Sequence, residues 1–374
     1  MEPRKQVPKT KNGIGAGLFC ALMILFIIFE IVLLAVVLVR AYSPSEQPKL
    51  PPVEQTPPAD DPDDDPKPTV PVFSGGVLPA VPTANSATVT LSNEIFSQYA
   101  ILIDAETGEI LAGKDAHTTF SPASMTKVMT LIVACEALST EDLERRLAFD
   151  EEIYAYITSG SYVGTSPSLP TESGGYSCFG DTYRIKDLLY GIGVASAADC
   201  TYMIVKEVAG TEEAFVALMN QKAQELGLTN THFDNAVGFD SEGNYTTAAE
   251  MAIIMNYAMQ CELIVEVLSK QASHIIYAQY YDEGVEKSYK VTLSSSWASR
   301  LEKYPSFHTD TTTVKASKTG YTDQSFMTVM AQSKNGAGRY ILVLGNRTSS
   351  ANTISEKFRQ TMVDIEYLLN TYVS

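Results

Sequence analysis

Apolar residues follow several distinct patterns along the chain, and each pattern predicts a different kind of element. From Gly13 to Val39 the sequence is almost continuously apolar. Beyond about residue 95, alternating apolar and polar positions predict strands, and apolar positions three and four residues apart predict helices. The predicted strands are Tyr99–Asp104, Glu109–Ala112, Val314–Thr322, Phe326–Ser333 and Arg339–Asn346. The predicted helices cover residues 123–138, 185–192, 197–209, 211–227, 246–270 and 353–371.

The order of these elements predicts the fold class. Strands stand at both ends of the region and helices lie between them. This order predicts an α/β (α+β) fold in which both chain ends contribute to one antiparallel sheet, closed around a helical lobe. Residues 87–374 are numerous enough to form one large domain with its own core.

The segment 13–39 predicts a transmembrane helix. It has 27 residues and one charged side chain, Glu30, whereas a bilayer requires about 20 apolar residues in helical form. A signal peptide is the alternative, but its apolar region spans only about 7–15 residues. Basic residues cluster in the segment 1–12, so the positive-inside rule predicts a cytoplasmic N-terminus. The predicted location is the cell membrane, with a single span and an extracytoplasmic domain.

Residues 41–86 predict an extracytoplasmic linker. They contain 12 of the chain's 18 prolines and an acidic run from Asp60 to Asp65. Proline stiffens a segment and like charges extend it, so a semi-rigid spacer is expected here. Its expected role is to hold the domain 87–374 away from the membrane.

Charge and ligand-forming residues exclude some functions. The net charge is −17 at pH 7, which argues against a nucleic-acid partner because such proteins need a basic face. The four histidines are scattered and no Cys-x-x-Cys or His-x-x-x-His spacing occurs. No metal or other cofactor is therefore predicted. Cys135 and Cys200 lie on helical patterns, where they are compatible with small buried side chains.

A possible nucleophile lies at the start of the first long predicted helix. The sequence Ser124-Met-Thr-Lys127 places two polar side chains three residues apart, on one face of a helix. A serine hydroxyl needs a base to become a nucleophile, and a buried lysine with a lowered pKa can serve as that base. The structural alternative is a helix-capping serine followed by a solvated lysine. When Ser-x-x-Lys occurs without a second motif, this structural alternative is the more common one.

A second motif lies on a predicted strand near the C-terminal end. Lys318-Thr319-Gly320-Tyr321 combines a cation and a hydroxyl, which can bind a carboxylate, with a glycine that lets a ligand approach the backbone. A short motif of this kind proves little alone. Its combination with Ser-x-x-Lys, in this order and within an extracytoplasmic domain, is far more specific.

Together the two motifs resemble those of penicillin-recognising enzymes, and the domain is similar to the serine D-alanyl-D-alanine carboxypeptidases, the low-molecular-mass penicillin-binding proteins. Four phrases carry the resemblance, which spans roughly residues 95–370. They are Pro122-Ala-Ser-Met-Thr-Lys127, Asp187-Leu-Leu-Tyr-Gly191, Thr231-His-Phe-Asp-Asn235 and Ala316-Ser-Lys-Thr-Gly-Tyr-Thr322. The resemblance implies a penicillin-binding-protein/β-lactamase-like transpeptidase fold.

The resemblance also implies roles for individual residues. Ser124 would be the acylated nucleophile, Lys127 its general base, and Ser196 a proton relay to the leaving amine. Lys318 and Thr319 would hold the substrate carboxylate, and the N–H groups of Ser124 and Tyr321 would form the oxyanion hole. The implied substrate is the D-Ala-D-Ala terminus of a peptidoglycan stem peptide, and β-lactams are the implied inhibitors.

The middle motif departs from the family pattern. The family has Ser-x-Asn, whereas this chain reads Ser196-Ala197-Ala198. The methyl group of Ala198 cannot replace an amide that contacts the substrate. An active carboxypeptidase and a catalytically weakened peptidoglycan-binding relative are therefore both considered. A transpeptidase would form the same acyl-enzyme and stays an alternative. A β-lactamase would need a carboxylate for deacylation after the middle motif, whereas the sequence that ends at Asn235 matches the carboxypeptidase phrase instead. Arg347 is the candidate for the arginine that assists carboxylate binding in some relatives.

Overall fold

The positions of strands and helices come from a computed structural model, which describes residues 71–159, 168–169, 179–322, 324–347 and 353–373. Within these ranges the strands are β1 (Val89–Thr90), β2 (Ser97–Asp104), β3 (Ile110–Lys114), β4 (Arg146–Ala148), β5 (Thr182–Arg184), β6 (His274–Asp282), β7 (Val285–Leu293), β8 (Thr312–Tyr321), β9 (Ser325–Ser333) and β10 (Arg339–Arg347). The α-helices are α1 (Lys127–Ala137), α2 (Glu151–Thr158), α3 (Ile185–Tyr190), α4 (Ala198–Ala209), α5 (Glu212–Glu225), α6 (Ala248–Ala258), α7 (Glu262–Leu268), α8 (Ser296–Lys303) and α9 (Ile354–Tyr372). Shorter helical segments are the 3-10 turns Ala123–Thr126 and Asp142–Glu144 and the π-helix Gly191–Ala195.

The larger sheet combines strands from both ends of the described region, as the sequence predicts. Its six strands lie in the order β1-β3-β2-β10-β9-β8. The hairpin β2–β3 pairs through β2 with β10, antiparallel, with Ile101 opposite Val343. Strand β8, which carries the Lys-Thr-Gly motif, is therefore an edge strand, and its outer edge is available to a ligand.

Both faces of the central strands are buried, and this explains their continuous apolar sequence. On β2, Ile101 and Ile103 contact the cluster that contains the helical lobe. The alternate residues Ala100 and Leu102 contact a second cluster that includes Leu368 of α9. A strand covered on both faces has no polar side, so its pattern differs from simple alternation.

The helical lobe is centred on α1 and α6. All eleven residues of α6 are buried, which identifies it as a core helix. The sequence predicts one helix over 246–270, but the chain breaks between α6 and α7 with a bend of 114°. Within the described residues no single helix meets the length and hydropathy needed to cross a bilayer; α6 and α7 meet it only as this bent pair. The predicted span 13–39 lies outside the described residues.

A second, four-stranded sheet was not predicted. Its order is β4-β5-β6-β7, and most of it is the long antiparallel hairpin β6–β7. Strand β7 reads VEKSYKVTL and leaves most of its side chains exposed. Only Val291 and Leu293 of this strand are buried, so its pattern of apolar residues was too short to reveal the hairpin.

Residues 71–86 lie against the domain, although the sequence assigns them to the linker. The N–H groups of Val72 and Phe73 donate to the carbonyls of Leu138 and Cys135 at 2.8 and 2.9 Å. Phe73 is buried and packs edge-on against Tyr257. One aromatic side chain and main-chain hydrogen bonds anchor the segment. Neither contact can be predicted from its proline-rich composition.

Three cysteines of the described residues are buried free thiols. They are Cys135, Cys200 and Cys261. This agrees with the interpretation of Cys135 and Cys200 as small core side chains. Cys20 and Cys178 lie outside the described residues.

Candidate active site

Ser124 lies in the 3-10 turn that leads into α1. Its neighbour Ala123 has a φ of +49°, a left-handed conformation that is uncommon for a residue with a Cβ. A Cβ on Gly238 would lie 1.9 Å from the carbonyl oxygen of Ala123 and 2.9 Å from the amide nitrogen of Ser124. Gly238 therefore allows a second chain segment to approach the backbone of Ser124 closely.

Lys127 is directed at Ser124, as the i, i+3 spacing predicts. Its Nζ donates to Ser124 Oγ at 3.2 Å and to the carbonyl oxygen of Val237 at 2.6 Å. The side chain is 2% exposed. Burial disfavours the ammonium form and lowers the pKa of Lys127 to about 7, against an opposing effect of the Asp199 carboxylate.

The loop that supplies the Val237 carbonyl is held by Asn235. The side-chain Oδ1 of Asn235 accepts hydrogen bonds from the N–H groups of Gly238 and Phe239 at 2.7 and 2.8 Å. Thr130 on α1 donates to the neighbouring carbonyl of Ala236 at 2.7 Å. The phrase ending at Asn235 carried the family resemblance, but its structural role as the support of this loop was not predicted.

Ser196 and Lys318 form the opposite wall of the site. Lys318 Nζ donates to Ser196 Oγ at 2.8 Å and to the carbonyl oxygen of Thr319 at 2.9 Å. Ser196 follows the π-helix with a φ of +59°. Burial is the main cause that lowers the pKa of Lys318 well below its usual value, and the positive charges of Lys127 and Arg300 act in the same direction.

The rest of the Lys-Thr-Gly-Tyr motif runs along the cleft. Thr319 and Tyr321 line it. A Cβ on Gly320 would lie 3.1 Å from the carbonyl oxygen of Pro122 and 3.2 Å from the Cβ of Ala123. Glycine therefore lets β8 approach the turn that carries Ser124. All seven residues predicted from the sequence meet around this cleft.

The two alanines of the middle motif, Ala197 and Ala198, lie away from the cleft surface. Ala198 is fully buried as the first residue of α4, and among the described residues that line the cleft Ser196 is the only member of this motif. The next residue, Asp199, is also fully buried and accepts hydrogen bonds from the N–H groups of Ser168 and Leu169 at 2.9 and 2.7 Å. Burial raises the pKa of Asp199.

Sequence reasoning missed Arg300. This residue lies on α8, in a segment with no motif, yet its guanidinium lines the same cleft. It is 2% exposed, and burial lowers its pKa to about 9. The only local signal was a positive charge among apolar residues at helical spacing, between Trp297 and Leu301. The side chain of Arg347, the arginine proposed from sequence, lies outside the described side chains.

The cleft is large enough for an extended peptide. Its volume is about 760 Å³, within the range of ligand pockets. Its polar lining is supplied mostly by hydroxyl groups and cations, together with one acidic residue, Asp240. These residues include Ser124, Lys127, Ser168, Ser196, Ser294, Ser296, Ser299, Arg300, Thr319 and Thr322. No group of three or more His, Cys, Asp or Glu within the described residues could hold a metal ion.

A serine in contact with one buried lysine, and a second serine in contact with a buried lysine on the edge strand of the sheet, define a class of serine enzymes of the penicillin-binding type. Solved structures share this fold. A variant of a Streptomyces DD-transpeptidase superposes with a TM-score of 0.61 at 21% identity, covering 75% of this chain and 98% of that one. Penicillin-binding protein 6B of Escherichia coli gives a TM-score of 0.54 at 22% identity, covering 73% and 76%.

The sequence itself identifies the family. Residues 83–348 match the D-alanyl-D-alanine carboxypeptidases, peptidase family S11, and the chain belongs to this family of serine peptidases. The resemblance inferred from the motifs is thus confirmed.

Two curated relatives illustrate the extent of the similarity. D-alanyl-D-alanine carboxypeptidase DacF of Bacillus subtilis is 29% identical over 273 residues, or 73% of this chain and 62% of that protein. DacC of Escherichia coli is 32% identical over 176 residues, or 46% and 42%. The chain therefore spans less than two thirds of the length of these relatives.

Proposed function

We propose that this protein is a serine D-alanyl-D-alanine carboxypeptidase that removes the terminal D-Ala from peptidoglycan stem peptides. The observation that carries the proposal is the contact of Ser124 Oγ with the Nζ of buried Lys127 at 3.2 Å. With a pKa of about 7, Lys127 is largely neutral in mildly alkaline solution and can accept a proton. The family relationship supplies the substrate class, D-Ala-D-Ala.

The proposed reaction begins with acylation. The Ser124 hydroxyl gives its proton to Lys127 as its oxygen bonds to the carbonyl carbon of the scissile peptide. The electron pair of the carbonyl moves onto oxygen, which the N–H groups of Ser124 and Tyr321 stabilise. The intermediate then collapses. The C–N bond breaks, and the leaving amine of D-Ala takes up the proton that Lys127 accepted, relayed through Ser196, which lies beside Lys318.

Deacylation releases the shortened stem peptide. Water attacks the ester carbonyl of the acyl-enzyme, and its proton passes to the Lys127 amine, which is neutral again after acylation. The Ser124–acyl bond breaks, and Lys127 returns this proton to Ser124 Oγ. A β-lactam would form the same ester but would not expel a leaving group from the site, so a long-lived adduct is expected.

The charges of the cleft fit an anionic substrate terminus. Lys127, Lys318 and Arg300 are all buried; burial is the main cause that lowers the pKa of Lys318, and the positive charges of Lys127 and Arg300 act in the same direction. A C-terminal carboxylate is a counterion for such a group of cations. Thr319, which lines the cleft next to Lys318, can donate its hydroxyl to the same carboxylate.

The location belongs to the same proposal. Residues 13–39 are proposed to anchor the chain as a single membrane span, with residues 1–12 in the cytoplasm and the enzyme outside. The support is the length of the apolar segment and the basic residues before it. An enzyme of the cell wall requires its cleft on that side of the membrane.

Labelling with a fluorescent penicillin tests this function. The full-length chain in detergent should give a covalent adduct that peptide mass mapping assigns to Ser124, and should release D-Ala from a D-Ala-D-Ala peptide. Ser124→Ala should lose both activities. Ser269→Ala, which removes an exposed hydroxyl at the end of α7, should be labelled like the unaltered chain. An adduct in Ser124→Ala would refute the assignment of the nucleophile.

A second candidate rests on Ala198. The family amide at this position is absent, and this favours a weakened relative that binds peptidoglycan and acylates without efficient turnover. The two functions separate cleanly in the same experiment. A penicillin adduct without release of D-Ala would support the binding protein, whereas release of D-Ala supports the carboxypeptidase.

A further inference from the structure

Arg300 is held in one orientation by hydrogen bonds and by an aromatic ring. Its Nη2 donates to the carbonyl oxygen of Gly320 at 2.9 Å, and its Nη1 donates to Ser325 Oγ. The guanidinium lies over the ring of Phe358, 3.8 Å from the centroid. Thr361 in turn donates to Ser325 Oγ at 2.7 Å. Strands β8 and β9 and helix α9 thus all hold this side chain.

The contact with Gly320 fixes a peptide group that the proposed reaction uses. The carbonyl of Gly320 and the N–H of Tyr321 belong to one trans peptide and point in opposite directions. In an edge strand, successive peptide groups alternate between the paired side and the open side. Lys318 Nζ reaches the carbonyl of Thr319 at 2.9 Å while it contacts Ser196. The Thr319 carbonyl and the Tyr321 N–H therefore both face the cleft.

We propose that Arg300 is a positioning residue for acylation: by holding the Gly320 carbonyl, it keeps the Tyr321 N–H directed at the oxygen of the carbonyl that Ser124 attacks. This inference rests on the proposed function. Arg300 exchanges no proton and forms no bond with the substrate. Its effect is to keep a donor aligned with the charge that develops in the transition state, where alignment matters most.

The surroundings of Arg300 favour this role over simple packing. No ion pair among the described residues includes Arg300. A buried guanidinium without a carboxylate is costly, and an apolar side chain of similar length would fill the same space without that cost. The planar fork of arginine, in contrast, can hold a main-chain carbonyl and a hydroxyl at once.

Direct binding of the substrate carboxylate is the competing role, and the contacts argue against it. Only 2% of Arg300 is exposed. Both terminal nitrogens donate to protein acceptors, and Phe358 covers one face of the guanidinium. The Thr319 side chain, by contrast, lines the cleft directly.

Acylation rates distinguish these roles. Rates are measured on the full-length chain with a penicillin and with its methyl ester, which lacks the carboxylate, for Arg300→Met, Arg300→Lys and the unaltered chain. Arg359→Met is the matched control. Arg359 lies on α9, where it forms a solvent-exposed ion pair with Glu356. Thermal unfolding of each variant reports whether the domain remains folded.

The positioning role predicts an equal loss on both compounds. Arg300→Met should slow acylation by about 10- to 100-fold, because a misdirected oxyanion donor loses much of its effect. Arg300→Lys should lie between Arg300→Met and the unaltered chain, and it decides the question if Arg300→Met fails to fold. With a D-Ala-D-Ala peptide, kcat should fall while KM stays nearly constant, and Arg359→Met should change neither.

Three results would overturn the inference. A loss confined to the penicillin with the free carboxylate would make Arg300 a substrate-binding residue. Acylation within twofold of the unaltered chain on both compounds would leave Arg300 without a role in the reaction. A rise in KM with constant kcat would indicate uniform binding instead of positioning. If the unaltered chain forms no adduct, the proposed function itself fails, and this outcome is distinct from the other three.

Discussion

Two buried amines determine the chemistry that individual residues can perform: Lys127 contacts Ser124, and Lys318 contacts Ser196. Each is hydrogen-bonded to an acceptor, so neither is an unsatisfied polar group. Burial lowers the pKa of both. A lysine at the surface would be protonated at neutral pH and could not accept the proton of Ser124. The same side chain becomes a base because the fold removes it from water.

The pH dependence of acylation follows from Lys127. Its pKa is about 7, so below pH 7 the amine is protonated and cannot act as the base. We expect the acylation rate to fall about tenfold per pH unit on the acid side of that value. Rapid-mixing measurements with a penicillin between pH 5 and 9 would show it. A rate that stays constant through this range would rule out a lysine base.

Gly238 gives a second prediction at the scale of one residue. Gly238→Ala should cost several kcal/mol, because the added Cβ would lie 1.9 Å from the carbonyl oxygen of Ala123. Acylation should also fall, since the same methyl group would lie 2.9 Å from the amide nitrogen of Ser124. Chemical denaturation and penicillin labelling measure the two effects.

A matched control for Gly238→Ala exists in the hairpin β6–β7. Gly284 has the same φ, +79°, but a Cβ there meets no atom within 4 Å. Gly284→Ala therefore isolates the backbone cost, about 1 kcal/mol. Equal destabilisation by the two substitutions would contradict the importance of the close approach at Gly238.

Three separate elements build the cleft. The 3-10 turn supplies Ser124, edge strand β8 supplies Lys318, and the loop after Asn235 supplies the carbonyl that binds Lys127. None of them carries the site alone. Their relative positions depend on contacts between elements, such as the approach of Gly320 to the turn.

The loop after Asn235 gives a prediction at the scale of elements. Asn235→Ala removes the acceptor for the N–H groups of Gly238 and Phe239, so about 1–3 kcal/mol of unfolding free energy should be lost. Acylation should fall about tenfold, because Lys127 loses a fixed carbonyl partner. Denaturant unfolding and labelling kinetics provide the measurements.

Asn335 offers the comparison for Asn235. Its Oδ1 accepts from the N–H of Ala337 at 2.9 Å in an exposed hairpin loop, so water can replace the side chain there. Asn335→Ala should cost less than about 1 kcal/mol and leave acylation unchanged. If Asn235→Ala behaved in the same way, the loop would not depend on the amide of Asn235.

At the scale of the whole molecule, the segment 71–83 extends the folded domain beyond the strands. It pairs with the C-terminal end of α1 and with the β2–β3 turn, where the Thr83 N–H donates to the carbonyl of Gly108 at 2.9 Å. Its apolar anchor is Phe73. The segment therefore contributes to the stability of the domain.

Phe73→Ala should destabilise the domain by about 3 kcal/mol, because it leaves a cavity beside Tyr257. Val77→Ala is the comparison within the same segment, since Val77 is 80% exposed and should lose almost nothing. Thermal unfolding of both variants tests the difference. If Phe73→Ala were as stable as Val77→Ala, the segment 71–83 would act as a linker and would not contribute to the stability of the domain.

Sequence alone determined the features that depend on local spacing and on motif chemistry. The three-residue separation of Ser124 and Lys127 predicted their contact, because residues three apart in a helix are neighbours on one face. The apolar strands at both ends of the domain predicted the larger sheet. The motifs predicted the family, which the match over residues 83–348 confirms.

Only the tertiary structure decided the features that arise between distant segments. Arg300 lies 20 positions before Gly320 in the chain, and neither residue type indicates the other. Asn235 holds a loop whose carbonyl reaches Lys127, 110 positions away. The pKa of Lys127 likewise depends on burial, which no local pattern measures. Such properties follow from which surfaces the folded chain removes from water, and this is settled only when all elements pack together.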